Sequence, residues 1–352
     1  MSGKFISQVM RSYFSTTAVA LSLALGVTAP IPILAGETAQ VSNSTPSPDR
    51  VNLDEALRLR LLGDEKQQSG ELNEAIAYWL EAVEIYQRLG KLPAMGQIYS
   101  NLGEVYLDAG RFNQAIEARE AQLSVARALN DELMLVYALN DFGSALLARG
   151  LLDRATEQFA EALDLSAQLD SAVGRGISLN NLGLVAMGRG DFAEAVERYE
   201  AALSWHYLMG DPLEQATTLN NLGAAYWLLE DYDRSIGVYG EALQRARISG
   251  DNANLFRAID GLAVAHTQVG RYFRGLELLE ERLELAQNLE DDREELTTLI
   301  LTARLYDAAN LPQDSIWHYQ EALELARDLE DEWEEDSIEE ELRDLLERLR
   351  ED

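Results

Sequence analysis

One small residue returns every forty positions along this chain, and no insertion disturbs the spacing. It is Gly63, Gly103, Gly143, Gly183 and Gly223, then Ala263 and Ala303. Seven residues later stands a second glycine in five copies (Gly70, Gly110, Gly150, Gly190 and Gly270), with Glu230 and Asn310 in the other two. Five further on comes another small residue, from Ala75 to Ser315. Four beyond that is a large ring or aliphatic: Trp79, Phe159, Tyr199, Tyr239, Leu279 and Tyr319, with Arg119 as the exception. Small residues follow again (Ala82, Ala162, Ala202, Ala242, Ala322), replaced by Gln122 and Arg282 in two copies. A period of this length, held over seven copies, is the mark of a repeat architecture rather than of one globular core.

Within each copy, apolar residues recur at helical intervals on both sides of the second glycine. Leu182, Val185 and Ala186 precede Gly190; Phe192, Ala195, Val196, Tyr199 and Leu203 follow it. That is helix, turn, helix, and a glycine just past a helix end supplies the left-handed backbone that closes it. The first small residue lets the paired helices approach, the later alanines admit the next pair, and the ring fills the gap. Each pair leaves an apolar face that only a neighbour covers. The joins carry their own punctuation. Asp211-Pro212-Leu213-Glu214 sets out an N-cap, a helix-starting proline and a reciprocal Glu; Asp291 and Glu294 repeat the logic. Gly210 and Gly250 stand where helices stop, Asn52 and Glu55 are expected to start the first helix, and Pro312 suits a helix start.

The phrase Asn181-Leu182-Gly183 and the small–aromatic–small spacing of Ala195, Tyr199 and Ala202 resemble the tetratricopeptide repeat. The likeness is to its forty-residue variety, found in kinesin light chain, in LGN-type polarity adaptors and in many bacterial and cyanobacterial proteins, and it covers residues 51–331. The resemblance implies an all-α solenoid of helical hairpins wound as a right-handed superhelix, with about seven repeats, and a non-catalytic role in protein binding. Residues 332–352 read as an acidic amphipathic helix capping the last repeat. Ile338, Leu342, Leu345, Leu346 and Leu349 keep one apolar stripe in a stretch where residues 328–352 hold 14 acidic and 3 basic side chains.

The formal net charge is −32. Such a surface repels phosphate backbones and anionic headgroups, which excludes nucleic acid and direct lipid docking as expected partners; a basic or neutral protein or peptide suits it. There is no cysteine, so thiol chemistry is absent. The first 36 residues carry Lys4 and Arg11 and no acidic residue. With an apolar run from Thr17 to Val27 and small residues up to Ala35, they read as a signal peptide over 1–35, or an uncleaved anchor. Residues 36–50 then form a disordered linker, and export places the protein in a periplasm or thylakoid lumen.

No metal-ligand spacing, phosphate loop or nucleophile elbow occurs, and the three histidines fall in different copies. No cofactor or metal is expected, and an enzyme ranks third among the readings. What remains is the wall that first helices turn inward in proteins of this resemblance. Projected here, it selects Tyr137, Asn140, Leu147, Asn180, Leu184, Met187, Thr217, Asn220, Trp227, Arg257 and Asp260 as a peptide-binding groove: a ladder of amides flanked by exposed Leu, Met and Trp. An amide carries both donor and acceptor and can pair with any main chain; the same amides could instead brace adjacent helices. The alternative function is a membrane-tethered assembly factor for an envelope or photosynthetic complex, working through the acidic outer surface.

Overall fold

The computed structural model describes residues 48–351; the expected signal peptide and residues 36–47 of the expected linker lie outside them. Among the described residues there are fifteen α-helices and no strand. The chain divides at Gly190 into two compact units, each described by itself.

The first unit contains α1 (Pro48–Gln68), α2 (Leu72–Arg88), α3 (Leu92–Asp108), α4 (Phe112–Leu129), α5 (Glu132–Ala148), α6 (Leu152–Gln168) and α7 (Ala172–Arg189). Helices α1/α2, α3/α4 and α5/α6 pack as hairpins, and each hairpin packs on the next. The core runs through Trp79, Ile98, Leu102 and Val105. Helix α1 starts at Pro48, not at Asn52. A proline fixed near helical φ and Asp49 in the first turn start the helix earlier, so three residues assigned to the linker are helical.

The second unit contains α8 (Phe192–Met209), α9 (Pro212–Leu228), α10 (Tyr232–Ser249), α11 (Asn252–Gln268), α12 (Tyr272–Asn288), α13 (Asp292–Ala308), α14 (Pro312–Asp328) and α15 (Glu332–Glu351). Here α9/α10, α11/α12 and α13/α14 are the hairpins. Helix α15 lays Ile338 and Leu345 into a cluster with Leu299, Ala303 and Tyr319. Glu341 ties it down, accepting from Arg304 and from the Tyr319 hydroxyl (2.7 Å).

The forty-residue ruler has a direct steric cause. A Cβ placed on Gly63 would lie 2.4 Å from the Trp79 ring; on Gly143, 2.5 Å from Phe159; on Gly223, 2.9 Å from Tyr239. The ring sixteen residues on therefore occupies the space a side chain would need. In the sixth copy both partners change, and Ala263 packs with Leu279. The turns are equally regular. Fourteen positions, one every twenty residues from Gly70 to Glu330, have positive φ. Glu230 and Asn310, the two departures from glycine, take the same left-handed conformation as the glycines they replace. Asp131, Ser171, Asp211, Asp251 and Asp291 accept a first-turn amide of the helix that follows, satisfying donors that a helix start leaves open.

Candidate functional site

In the first unit the wall residues lie on α5 and α7. Asn140 is buried, and its side chain is fully used. The Nδ2 group donates to Val136 O (2.9 Å) and Ser178 Oγ (3.0 Å), and Oδ1 accepts from Asn181 Nδ2 (3.1 Å). This residue braces α5 to α7. Asn180, Leu147 and Leu184 are also buried, whereas Tyr137 and Met187 are partly exposed.

In the second unit the wall lies on α9 and α11. Asn220, 2 % exposed, donates to the Asn254 carbonyl (3.1 Å) and to Asn254 Oδ1 (3.0 Å). Asn254 in turn donates to Thr217 Oγ1 (2.9 Å). Arg257 donates to Asn221 Oδ1 (2.8 Å). Asp260 holds Arg282 at 2.6 Å. Trp227, 8 % exposed, meets Tyr232 edge-on at 6.1 Å.

The expected exposure of Leu147, Leu184 and Trp227 is therefore corrected: all three are buried. Part of the reason is that the following first helix leans on the wall, through Ser178 over Asn140 and Asn254 over Asn220. Asp260 and Arg257 are likewise committed to neighbouring side chains. Helix α9 stands apart because every residue from Glu214 to Trp227 is buried.

Five buried polar atoms of that helix have no hydrogen-bond partner: Glu214 Oε1, Gln215 Oε1, Thr218 Oγ1, the acceptor Asn220 Oδ1 and the donor Trp227 Nε1. The last two are seven residues apart, two turns, and so share one side of α9. At the start of the same helix, burial pushes the Glu214 carboxyl up to about 7, and the neighbouring Asp211 charge adds to it. Its Oε1 is buried without a partner. His266, in a position that three other copies give to a tyrosine (Tyr106, Tyr226 and Tyr306), is buried; burial lowers its pKa, with Arg271 and Arg274 adding to the effect.

The breaks in the repeat pattern mark built charge networks. Arg119 Nη1 donates to Ser100 Oγ (3.1 Å), Gln122 Oε1 (3.0 Å) and Asp141 Oδ2 (3.2 Å). Arg282 pairs with Asp260 and with Glu294 (2.7 Å), reaches Thr298, and lies 4.7 Å over the Phe256 ring. The signal was present: Arg119, Gln122 and Arg282 stand where the spacing calls for a ring or a small residue. Among the described residues, no group of His, Asp and Glu could hold a metal ion, and no helix is long and apolar enough to cross a membrane.

Stacked helical hairpins with a small residue facing a ring sixteen positions on define the class of α-helical repeat solenoids. The tetratricopeptide repeat profile matches residues 52–118, 94–168, 174–248 and 253–328, and the chain belongs to the tetratricopeptide repeat family. Its fold is similar to that of the apo form of RapI (TM-score 0.57, 16 % identity), covering 78 % of this chain and 99 % of that one. BtubC (BKLC) from P. vanneervenii is similar at TM-score 0.57 and 22 % identity, over 62 % of this chain and 92 % of that one. A Rap protein complexed with Competence and Sporulation Factor is similar at TM-score 0.54 and 16 % identity, over 79 % and 76 %. No protein of curated function matches the chain.

Proposed function

We propose that this protein is a non-catalytic scaffold that holds a peptide segment of a partner protein against the first helices of its repeats. The observation that carries the reading is one acceptor and one donor among the five unsatisfied buried atoms of α9, Asn220 Oδ1 and Trp227 Nε1, which share a side of the helix. A buried polar atom without a partner costs roughly 1–3 kcal/mol, and a peptide main chain supplies both missing partners, an N–H for Asn220 and a carbonyl for Trp227. Entry of the guest requires the Trp227 ring to turn aside. Asn254, which donates to Thr217 Oγ1, then serves as the frame beside Asn220. A protein of the same fold has been solved in complex with Competence and Sporulation Factor, which supports partner binding on this architecture. The unbroken forty-residue period supports the kinesin-light-chain-like variety.

Trp227→Phe removes the indole N–H and keeps a smaller aromatic ring. Co-purification of partners by wild type, Trp227→Phe and Asn220→Ala/Trp227→Ala, with unfolding curves alongside, tests the proposal. Capture should weaken in the first variant and disappear in the second while both remain helical. Undiminished capture by a folded double variant would sink it. Export belongs to the same proposal, resting on the basic, apolar and small-residue order of the first 35 residues. N-terminal sequencing should find a start near Gly36; an intact Met1 would favour the anchored alternative.

A further inference from the structure

The last hairpin carries an aromatic cluster that the repeat pattern does not require. His318 on α14 stacks on Tyr306 of α13, with centroids 5.0 Å apart and planes at 28°. Trp317 meets the same imidazole edge-on at 4.6 Å and leaves 53 % of its surface open. Two carboxylates, Asp314 and Glu280, act on the Tyr306 end of the cluster. Burial raises the Tyr306 hydroxyl above its usual range, and Asp314 and Glu280 push it further.

The same unit shows what such rings accept. Arg234 lies 4.5 Å over Tyr226, whose hydroxyl donates to Glu200 (2.6 Å). Arg245 lies 5.4 Å over Tyr207, whose hydroxyl donates to Glu241 (2.6 Å). Tyr306 is Tyr226 displaced by two repeats, and the position that gives Tyr226 its arginine holds Asp314 at Tyr306. Ring and carboxylate are thus both present, while the cation is replaced by an acid.

From this we infer that the Trp317–His318–Tyr306 face is a docking platform for an arginine-bearing basic segment of another protein, with the guanidinium over the Trp317 ring and facing Asp314. A cation over tryptophan is the strongest pairing of this type, and an acidic surround raises the local concentration of basic partners. The platform shares no residue with the wall on α9, so the two proposals fail independently.

The test uses the full chain and three blocked peptides, acetyl-Arg-Gly-Arg-Gly-Arg-amide and its citrulline and leucine counterparts. Binding is read from calorimetry and from the Trp317 indole resonance, assigned through Trp317→Phe. The arginine peptide should shift that resonance, and Trp317→Ala should weaken its binding about three- to fivefold. Asp314→Asn should weaken it less, and the neutral peptides should not bind. Equal binding of the arginine peptide by folded Trp317→Ala would reduce the effect to general acidity and overturn the inference. Equal binding of the leucine or citrulline peptide would overturn it in favour of a contact that needs no positive charge.

Discussion

Arg119 in the first unit and Arg282 in the second each replace a residue that the repeat keeps small or aromatic, yet their surroundings differ. Arg119 takes the ring's place against Gly103 and pairs directly with one carboxylate, Asp141, while Glu104 and Asp108 feel its charge without an ion pair; its Nε is buried without a partner. Arg282 takes the place of an alanine and has two carboxylates, a threonine and an aromatic face. Both side chains are nearly sealed from water, 5 % and 2 % exposed. The number of partners is thus the main difference between the two pockets. Removing one partner of a buried pair leaves a charge that nothing offsets, costing roughly 3–5 kcal/mol.

The largest effect should therefore come from Asp141→Ala, about 3–5 kcal/mol measured by urea unfolding. Asp260→Ala leaves Glu294 on Arg282 and should cost about half as much. If Asp260→Ala costs more than Asp141→Ala, the partner count is not what matters. The reverse change sharpens the point. Writing the first network back to the letters of other copies, Arg119→Phe/Gln122→Ala/Asp141→Asn, should be neutral or stabilising by roughly 1–2 kcal/mol, because a ring already fits against glycine in the first and third copies.

A second comparison nests inside the first. Glu214 and Glu294 hold the same place in copies two apart. Burial raises both carboxyls, but Glu294 has Arg282 and Glu214 has no ion pair of its own. Glu214 reaches about 7, from an ordinary 4.5. A carboxyl whose folded value is raised binds more protons in the folded state than in the unfolded one, so stability falls as pH climbs from about 4.5 through about 7 and then levels off. Glu214→Gln should flatten that slope and stabilise the protein at pH 8 by on the order of 2–3 kcal/mol. An unchanged pH profile would mean that Glu214 ionises without cost.

The fold was legible because its causes are periodic: glycine against ring, left-handed turn, aspartate cap. Each is set by the backbone and by one neighbour at a fixed offset, so the spacing of Gly143 and Phe159 is itself the contact. The candidate site was only partly legible. Position alone placed Asn140 and Asn220 on a wall, but whether an amide faces water depends on the first two turns of the next copy's first helix. Ser178 and Asn254 decide that, and neither belongs to the repeated phrase. Tyr306 and His318 were visible as letters and silent as a pair, since stacking between α13 and α14 follows from tertiary contact.

The turns give the smallest and cleanest contrast between the units. Of seven left-handed positions in the first, five are glycine; of seven in the second, three are, and Glu230, Glu290 and Glu330 hold three of the others. An L residue in that conformation is disfavoured by roughly 1–2 kcal/mol, while a glycine loses more chain entropy on folding, which returns roughly half of the gain. Glu230→Gly should thus stabilise by about 0.5–1 kcal/mol. Gly150→Ala, where an added Cβ meets nothing within 4 Å, isolates the backbone cost and should destabilise by about 1 kcal/mol. Both are read as shifts in urea midpoint at constant slope. Loss of stability in Glu230→Gly would show that the glutamate side chain, and not the turn, holds that corner.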